Sequence, residues 1–228
     1  MKRLTAMKKS TKNSLFTYAL VIAAFVVVQI LRAGPGVGSL LEGQLVPICA
    51  YIVMALSLNL VVGISGELSL GHAGFMSIGA FAGSAFAIAL QGSVGFSPLR
   101  LALAMVFGAV IAAVLGFLIG IPVLRLNGDY LAIVTLAFGE IIKTIVTNVY
   151  LGVDENGLHF SFLNDTMNLA DGGTELIRGP MGVMHSQTIS TFVAGFVLVL
   201  VALAIIFNLV NSRTGRAIMA ARDNRIAA

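Results

Sequence analysis

Six apolar runs break up these 228 residues: Ser14–Leu31, Leu45–Val62, Phe75–Leu90, Leu101–Ile121, Tyr130–Tyr150 and Thr188–Val210. About 20 such residues cross the hydrocarbon core of a bilayer as a helix. In lipid a helix is one of the few structures that satisfies its own backbone. The third run is short enough to be tilted or partly re-entrant. The chain is 58% hydrophobic and 11% charged, more apolar surface than a soluble domain needs. The expected fold class is therefore all-α: a polytopic helical membrane protein with about six transmembrane helices, in one membrane-spanning domain over residues 1–228.

The charges orient it. Net charge is +4, but the basic residues gather at the chain ends rather than forming a nucleic-acid-binding patch. Lys2, Arg3, Lys8, Lys9 and Lys12 precede the first run, Arg125 follows the fourth, and Arg213, Arg216, Arg222 and Arg225 follow the sixth. With a cytoplasmic N-terminus, all ten lie inside, and only Arg32, Arg100 and Arg178 lie outside. The positive-inside rule selects that orientation. Residues 1–13 are then a cytoplasmic N-terminus, 151–187 a periplasmic loop rich in acids and glycines, and 211–228 cytoplasmic. A cleaved leader is the alternative for the first run, but the run is long for one and no clear Ala-x-Ala site follows. Cys49, the lone cysteine, lies in an apolar run and reads as a small core residue.

Two stretches carry polar groups into this apolar setting. Between the second and third runs stand Gly63, Ser65, Gly66, Glu67, Ser69, Gly71, His72 and Gly74. They suggest a broken or re-entrant segment near 63–75. Non-helical backbone at depth survives only where it is buried in protein or lines a watery cavity. Ser57, Asn59, Ser65, Glu67, Ser69 and His72 could line a path, or could satisfy backbone groups freed by the break. Gly71 with Gly74, and Gly79 with Gly83, would let another backbone come close, and Gly116 with Gly120 has the Gly-x-x-x-Gly spacing of helix pairs. The second stretch is the fifth run. Setting Thr135 at zero and stepping about 100° per residue, Lys143 falls at about 80°, Asp129 and Thr147 at about 120°, Glu140 at about 140° and Thr144 at about 180°. Val134, Phe138, Ile141, Ile145 and Val149 take the other side and should face lipid or neighbouring helices. An ionisable group at membrane depth costs about 2.5–3.5 kcal/mol on insertion scales, so Glu140 and Lys143 should face protein or water. They can pair at i,i+3, either gluing helices together or lining a substrate path. His72 has no second His or Cys at ligand spacing, so no metal is expected. No P-loop, His-Glu-x-x-His or Gly-x-Ser-x-Gly is present, and neither catalysis nor a cofactor is expected.

Three segments resemble a known family. Ser57 to Phe81, including Ser-Leu-Asn-Leu and Leu-Ser-Leu-Gly-His-Ala-Gly-Phe, is similar to the signature of permease subunits of branched-chain amino acid ABC importers. Leu126-Asn-Gly-Asp-Tyr-Leu-Ala-Ile-Val-Thr-Leu-Ala-Phe-Gly-Glu140 and Gly215-Arg-Ala-Ile-Met-Ala-Ala-Arg-Asp-Asn-Arg-Ile-Ala-Ala228 match in the same order. The pattern fits the M-type subunit better than its H-type partner. The resemblance implies a permease that forms the membrane path without hydrolysing ATP, in the bacterial inner membrane. Its implied partners are a second permease subunit, two cytoplasmic ATPase subunits, a periplasmic substrate-binding protein and the lipid bilayer. It makes Asn59, Ser65, Glu67, Ser69, His72, Thr135, Glu140 and Lys143 candidates for the substrate path. Gly215, Arg216, Ala217, Ala220, Ala221, Arg222 and Ile226 become candidates for a coupling helix over 211–228 that docks on the ATPase. Such permeases continue with further spans past the third motif, so the chain is expected to be the N-terminal part of a longer one. Permeases for urea, amides or other amino acids share these stretches and stay open as alternatives. So does a stand-alone secondary transporter, in which Glu140 and Lys143 would relay ions.

Overall fold

The computed structural model describes residues 2–33, 39–91, 94–123, 125–126, 128–154, 157–162, 173–184 and 189–223. The chain divides into two compact units, one made of residues 1–65 and 190–228, the other of residues 66–189. Among the described residues, six helices are long and apolar enough to cross a membrane, as expected.

The first unit contains α1 (Lys2–Ala33), α2 (Ser39–Asn59), a π-helical turn (Leu60–Ser65), α6 (Phe192–Asn211) and α7 (Arg213–Asp223). Cys49, Phe192, Val199 and Leu203 form its core, with Tyr18, Phe25 and Phe207 against it. Cys49 behaves as the small hydrophobe expected. At Gly195 a Cβ would stand 2.9 Å from the Cβ of Cys49, so the glycine is what lets α6 approach α2. Phe25 stacks on Phe196 with ring centroids 4.0 Å apart. The Thr191 hydroxyl caps α6, accepting from the Ala194 N–H at 3.3 Å. Large apolar side chains point outward: Phe16 is 71% exposed and Ile205 63%. Outward apolar surface on this scale suits lipid rather than water.

The second unit contains α3 (His72–Ala89), α4 (Ser97–Val123), α5 (Asp129–Thr147), three strands and a 3-10 turn. Gly79 and Gly83 of α3 dovetail with Gly108 and Ala104 of α4, which small residues permit between membrane helices. The expected Gly116–Gly120 seam is not where α4 packs. A Cβ at Gly116 would meet only the Phe75 ring at 3.7 Å, and one at Gly120 would meet nothing within 4 Å. The face of α4 that carries Gly108 is the one turned to α3.

The fifth apolar run stops earlier than its hydropathy suggests. Asn148 ends α5, and Val149 and Tyr150 belong to β1 (Val149–Asp154). β1 pairs antiparallel with β2 (Gly157–Phe162) and with β3 (Thr174–Arg178), in the order β2-β1-β3. β-branched and aromatic residues after a poor helix former favour that switch. The segment read from sequence as a loop over 151–187 thus holds a small sheet. Gly179 to Met181 form a 3-10 turn in which Gly179 has φ 34 and is buried. A Cβ there would stand 2.9 Å from the Tyr150 ring.

Candidate functional site

The helix break lies where the sequence places it. α2 loosens into the π-helical turn through Ser65, residues 66–71 are non-helical, and α3 starts at His72. Gly66, with φ 77, takes a conformation that a side chain disfavours. In the second unit this irregular stretch is held by α5. The Leu70 N–H donates to the Thr135 hydroxyl at 3.1 Å, and that hydroxyl donates to the Ala132 carbonyl at 2.9 Å. Thr135 therefore satisfies a backbone group freed by the break. A Cβ at Gly71 would collide with the Thr135 carbonyl oxygen, and one at Gly74 would sit 3.3 Å from Gly139 Cα. The expected close approach at Gly71 and Gly74 is real, and its partner is the Thr135–Gly139–Ile142 face of α5.

The apolar side of α5, expected to face lipid or neighbouring helices, is partly turned outward. Leu131, Ala132 and Ile142 are buried on α5, whereas Ile141 and Ile145, from the apolar side, are 52% and 47% exposed. Gly139 brings the α3 backbone close, so packing follows the small residues rather than the largest apolar stripe.

Beside this contact lies a cavity of about 340 Å³. Leu70, Phe81 and Leu136 give it apolar wall, Ser77 and Thr147 bring hydroxyls, and Glu140 and Lys143 bring charge. Gly179, Pro180 and Gly182 close one side. Lys143 Nζ donates to Glu140 Oε2 at 3.3 Å, with both side chains mostly exposed at 69% and 64%. The hydroxyl protons are spent on the helices. Ser77 donates to the Gly74 carbonyl at 2.8 Å, and Thr147 donates to the carbonyls of Lys143 and Thr144 at 3.0 and 3.1 Å. Their lone pairs stay available as acceptors. The cavity thus offers a cation, an anion and apolar wall together, the groups a zwitterion with an apolar side chain would need.

Of the sequence candidates, the second unit brings Glu140 and Lys143 to the cavity and Thr135 to the break. Glu67, Ser69 and His72 are half-buried in or next to the break and are not among the cavity walls. In the first unit Asn59 closes α2 exposed, and its carboxamide lies against Gly63, while Ser65 ends the π-helical turn half-buried. Sequence reading overlooked Leu70, Ser77 and the Gly179–Gly182 turn as cavity walls. The turn carried a signal in its Gly-Pro-x-Gly pattern, but nothing in the sequence joins it to α5.

The other candidate site is α7. Ser212 organises the corner before it: its hydroxyl donates to the Leu209 carbonyl at 2.6 Å and accepts from the Gly215 N–H at 3.0 Å. This is an N-cap that sequence reading missed. Gly215 is buried, and a Cβ there would collide with the Leu209 carbonyl oxygen. Beyond the corner Arg216, Ala217, Ala220, Ala221 and Arg222 are all exposed. The expected helix over 211–228 is described as far as Asp223. Ile226 lies outside the described residues.

Six spanning-length helices among the described residues, a helix broken between glycines and apolar flanks turned outward define a multi-pass membrane protein. The family profile described as "Branched-chain amino acid transport system / permease component" matches residues 40–228. The chain belongs to this family of transport permeases. It is similar to the high-affinity branched-chain amino acid transport system permease protein LivM of Salmonella typhimurium, with 35% identity over 187 residues. The LivM of Escherichia coli matches equally, at 35% over 187 residues. Each alignment covers 78% of this chain and 42% of the relative, so the chain spans less than half the length of the curated relatives it matches. No solved structure matches.

Proposed function

We propose that this chain forms part of the membrane path of an ATP-driven importer of branched-chain amino acids and hydrolyses no ATP itself. Two ATPase subunits would bind on the cytoplasmic side, a second permease subunit would complete the path, and a periplasmic binding protein would deliver substrate. The chain would sit in the bacterial inner membrane with its N-terminus and α7 cytoplasmic and the small sheet periplasmic.

The observation that carries this reading is α7. It follows the sixth span, is fixed at its corner by Ser212 and Gly215, and leaves Ala217 and Ala221 exposed at i,i+4 on one face. Small residues permit close approach by a partner groove, and Arg216 adds charge beside them. A simple basic anchor would need no such face. The cavity on α5 supports the substrate class: Lys143 suits a carboxylate, Glu140 an ammonium, and Leu70, Phe81 and Leu136 an aliphatic side chain. Urea and small amides would leave the charged pair without a task.

Co-purification of the ATPase subunits with Ala221→Glu and Ala221→Leu variants of the complete subunit tests the docking. Bulk at that position should release the ATPase without lowering the amount of permease in the membrane. Retention of the ATPase by both variants would leave only the anchor.

A further inference from the structure

Arg222 stands on exposed α7, yet its guanidinium turns back to the end of α2 within the same unit. Its Nη1 donates to the Gly63 carbonyl oxygen, 159 residues away in the chain. Nε and Nη2 meet Asp223 Oδ1 at 3.1 and 3.0 Å, so one edge of the fork is held while the other reaches the carbonyl. Gly63 lies in the π-helical turn that closes α2, two residues before the helical pattern ends at Ser65. The last carbonyls of a helix lack intrahelical partners and carry partial negative charge, which a cation complements. From sequence alone Arg222 joins the residues that face the ATPase. Its bond instead points inward, to the helix that continues into the break.

We infer that Arg222 is a positioning residue that ties α7 to the loosened end of α2, so that a displacement of α7 is passed to the helix break. This transmission role rests on the proposed docking of α7. The geometry uses a planar fork, one edge on Asp223 and one donor on a carbonyl, which an ammonium copies only in charge. The tie separates two jobs on one short helix. The alanine face meets the partner, and Arg222 holds the helix to the span it must move.

The test uses the complete importer in proteoliposomes, with leucine, its binding protein and ATP. Arg222→Ala should keep the ATPase subunits through purification and keep basal ATP hydrolysis. Leucine taken up per ATP hydrolysed should fall about tenfold, the size expected for a lost hydrogen bond from a charged donor. Arg222→Lys should recover part of that loss, because charge near the carbonyl remains. An unchanged uptake per ATP in Arg222→Ala overturns the role. Loss of the ATPase subunits from Arg222→Ala also overturns it, making Arg222 a docking residue. A photoreactive benzoylphenylalanine at position 222 reads the tie by itself. Crosslinking to the α2 peptide containing Gly63 is expected, and crosslinking only to lipid or to the ATPase refutes the contact. If Ala221→Glu retains the ATPase, the docking reading and the transmission role fall together, while the crosslink still decides whether the tie exists.

Discussion

Three glycines at one helix–helix seam should respond differently to the same substitution. α3 and α4 meet through Gly79, Gly83 and Gly108. A Cβ at Gly79 would lie 3.6 Å from the Gly108 carbonyl oxygen, an ordinary contact. At Gly83 it would lie 3.0 Å from the Ala104 carbonyl oxygen. At Gly108 it would collide with the Gly79 carbonyl oxygen, a backbone atom that no rotamer change can move. Replacing a mid-helix glycine by alanine gains about 1 kcal/mol of helix propensity at each position, and that gain cancels between variants. Overpacking a fitted contact costs about 1–3 kcal/mol. Gly108→Ala should therefore be less stable than Gly79→Ala by about 1–3 kcal/mol, with Gly83→Ala between them. Gly120→Ala, with nothing within 4 Å, should be neutral or stabilising. Reversible unfolding in mixed detergent–SDS micelles, followed by far-UV circular dichroism, gives the order. Gly79→Ala as damaging as Gly108→Ala, or Gly120→Ala worse than either, would refute the seam.

Thr135→Val should lower stability in detergent by about 1–3 kcal/mol, because the Leu70 N–H loses its acceptor; thermal melts should show Thr135→Ser close to the parent. Gly215→Ala should displace α7 at its corner, seen as changed labelling rates of a cysteine at position 217, and unchanged rates would contradict the tight turn. In whole cells a membrane-impermeant maleimide should label Phe160→Cys and leave Ala217→Cys untouched, and the reverse pattern would end the proposed topology. Lys143→Met should raise the KM for leucine uptake about tenfold or more, as expected when a charge-assisted hydrogen bond is lost; an unchanged KM would remove the α5 cavity from the path.

The spans were legible because lipid imposes one rule, a run of about 20 apolar residues per crossing. Gly63, Gly66 and Gly71 likewise announced the break: Gly66 takes a positive φ that few residues tolerate, and Gly71 lies too close to the α5 backbone for a side chain. Polar spacing on α5 put Glu140 and Lys143 on one side of the helix, and the cavity is there. What the sequence hid depends on partners distant in the chain. Hydropathy carried the fifth run on to Tyr150, because a strand of Val, Tyr and Leu is as apolar as a helix turn. The working glycine seam was hidden for a similar reason. Gly116–Gly120 has the familiar spacing, whereas Gly108 matters only because Gly79 lies opposite. Arg222 was grouped with the residues that face the ATPase, and its bond to the Gly63 carbonyl shows only once α7 is set beside the end of α2.

If this permease chain works under ATP-driven transport with α7 as the ATPase contact, reconstitution should show both. The complete subunit should be reconstituted with its second permease subunit and ATPase subunits in sealed vesicles holding ATP, with the leucine-loaded binding protein outside. Uptake of radiolabelled leucine should require internal ATP, ignore an imposed proton gradient, and fail with Ala221→Glu. Leucine uptake driven by a proton gradient alone, without ATPase subunits, would contradict the account and make the chain a secondary transporter.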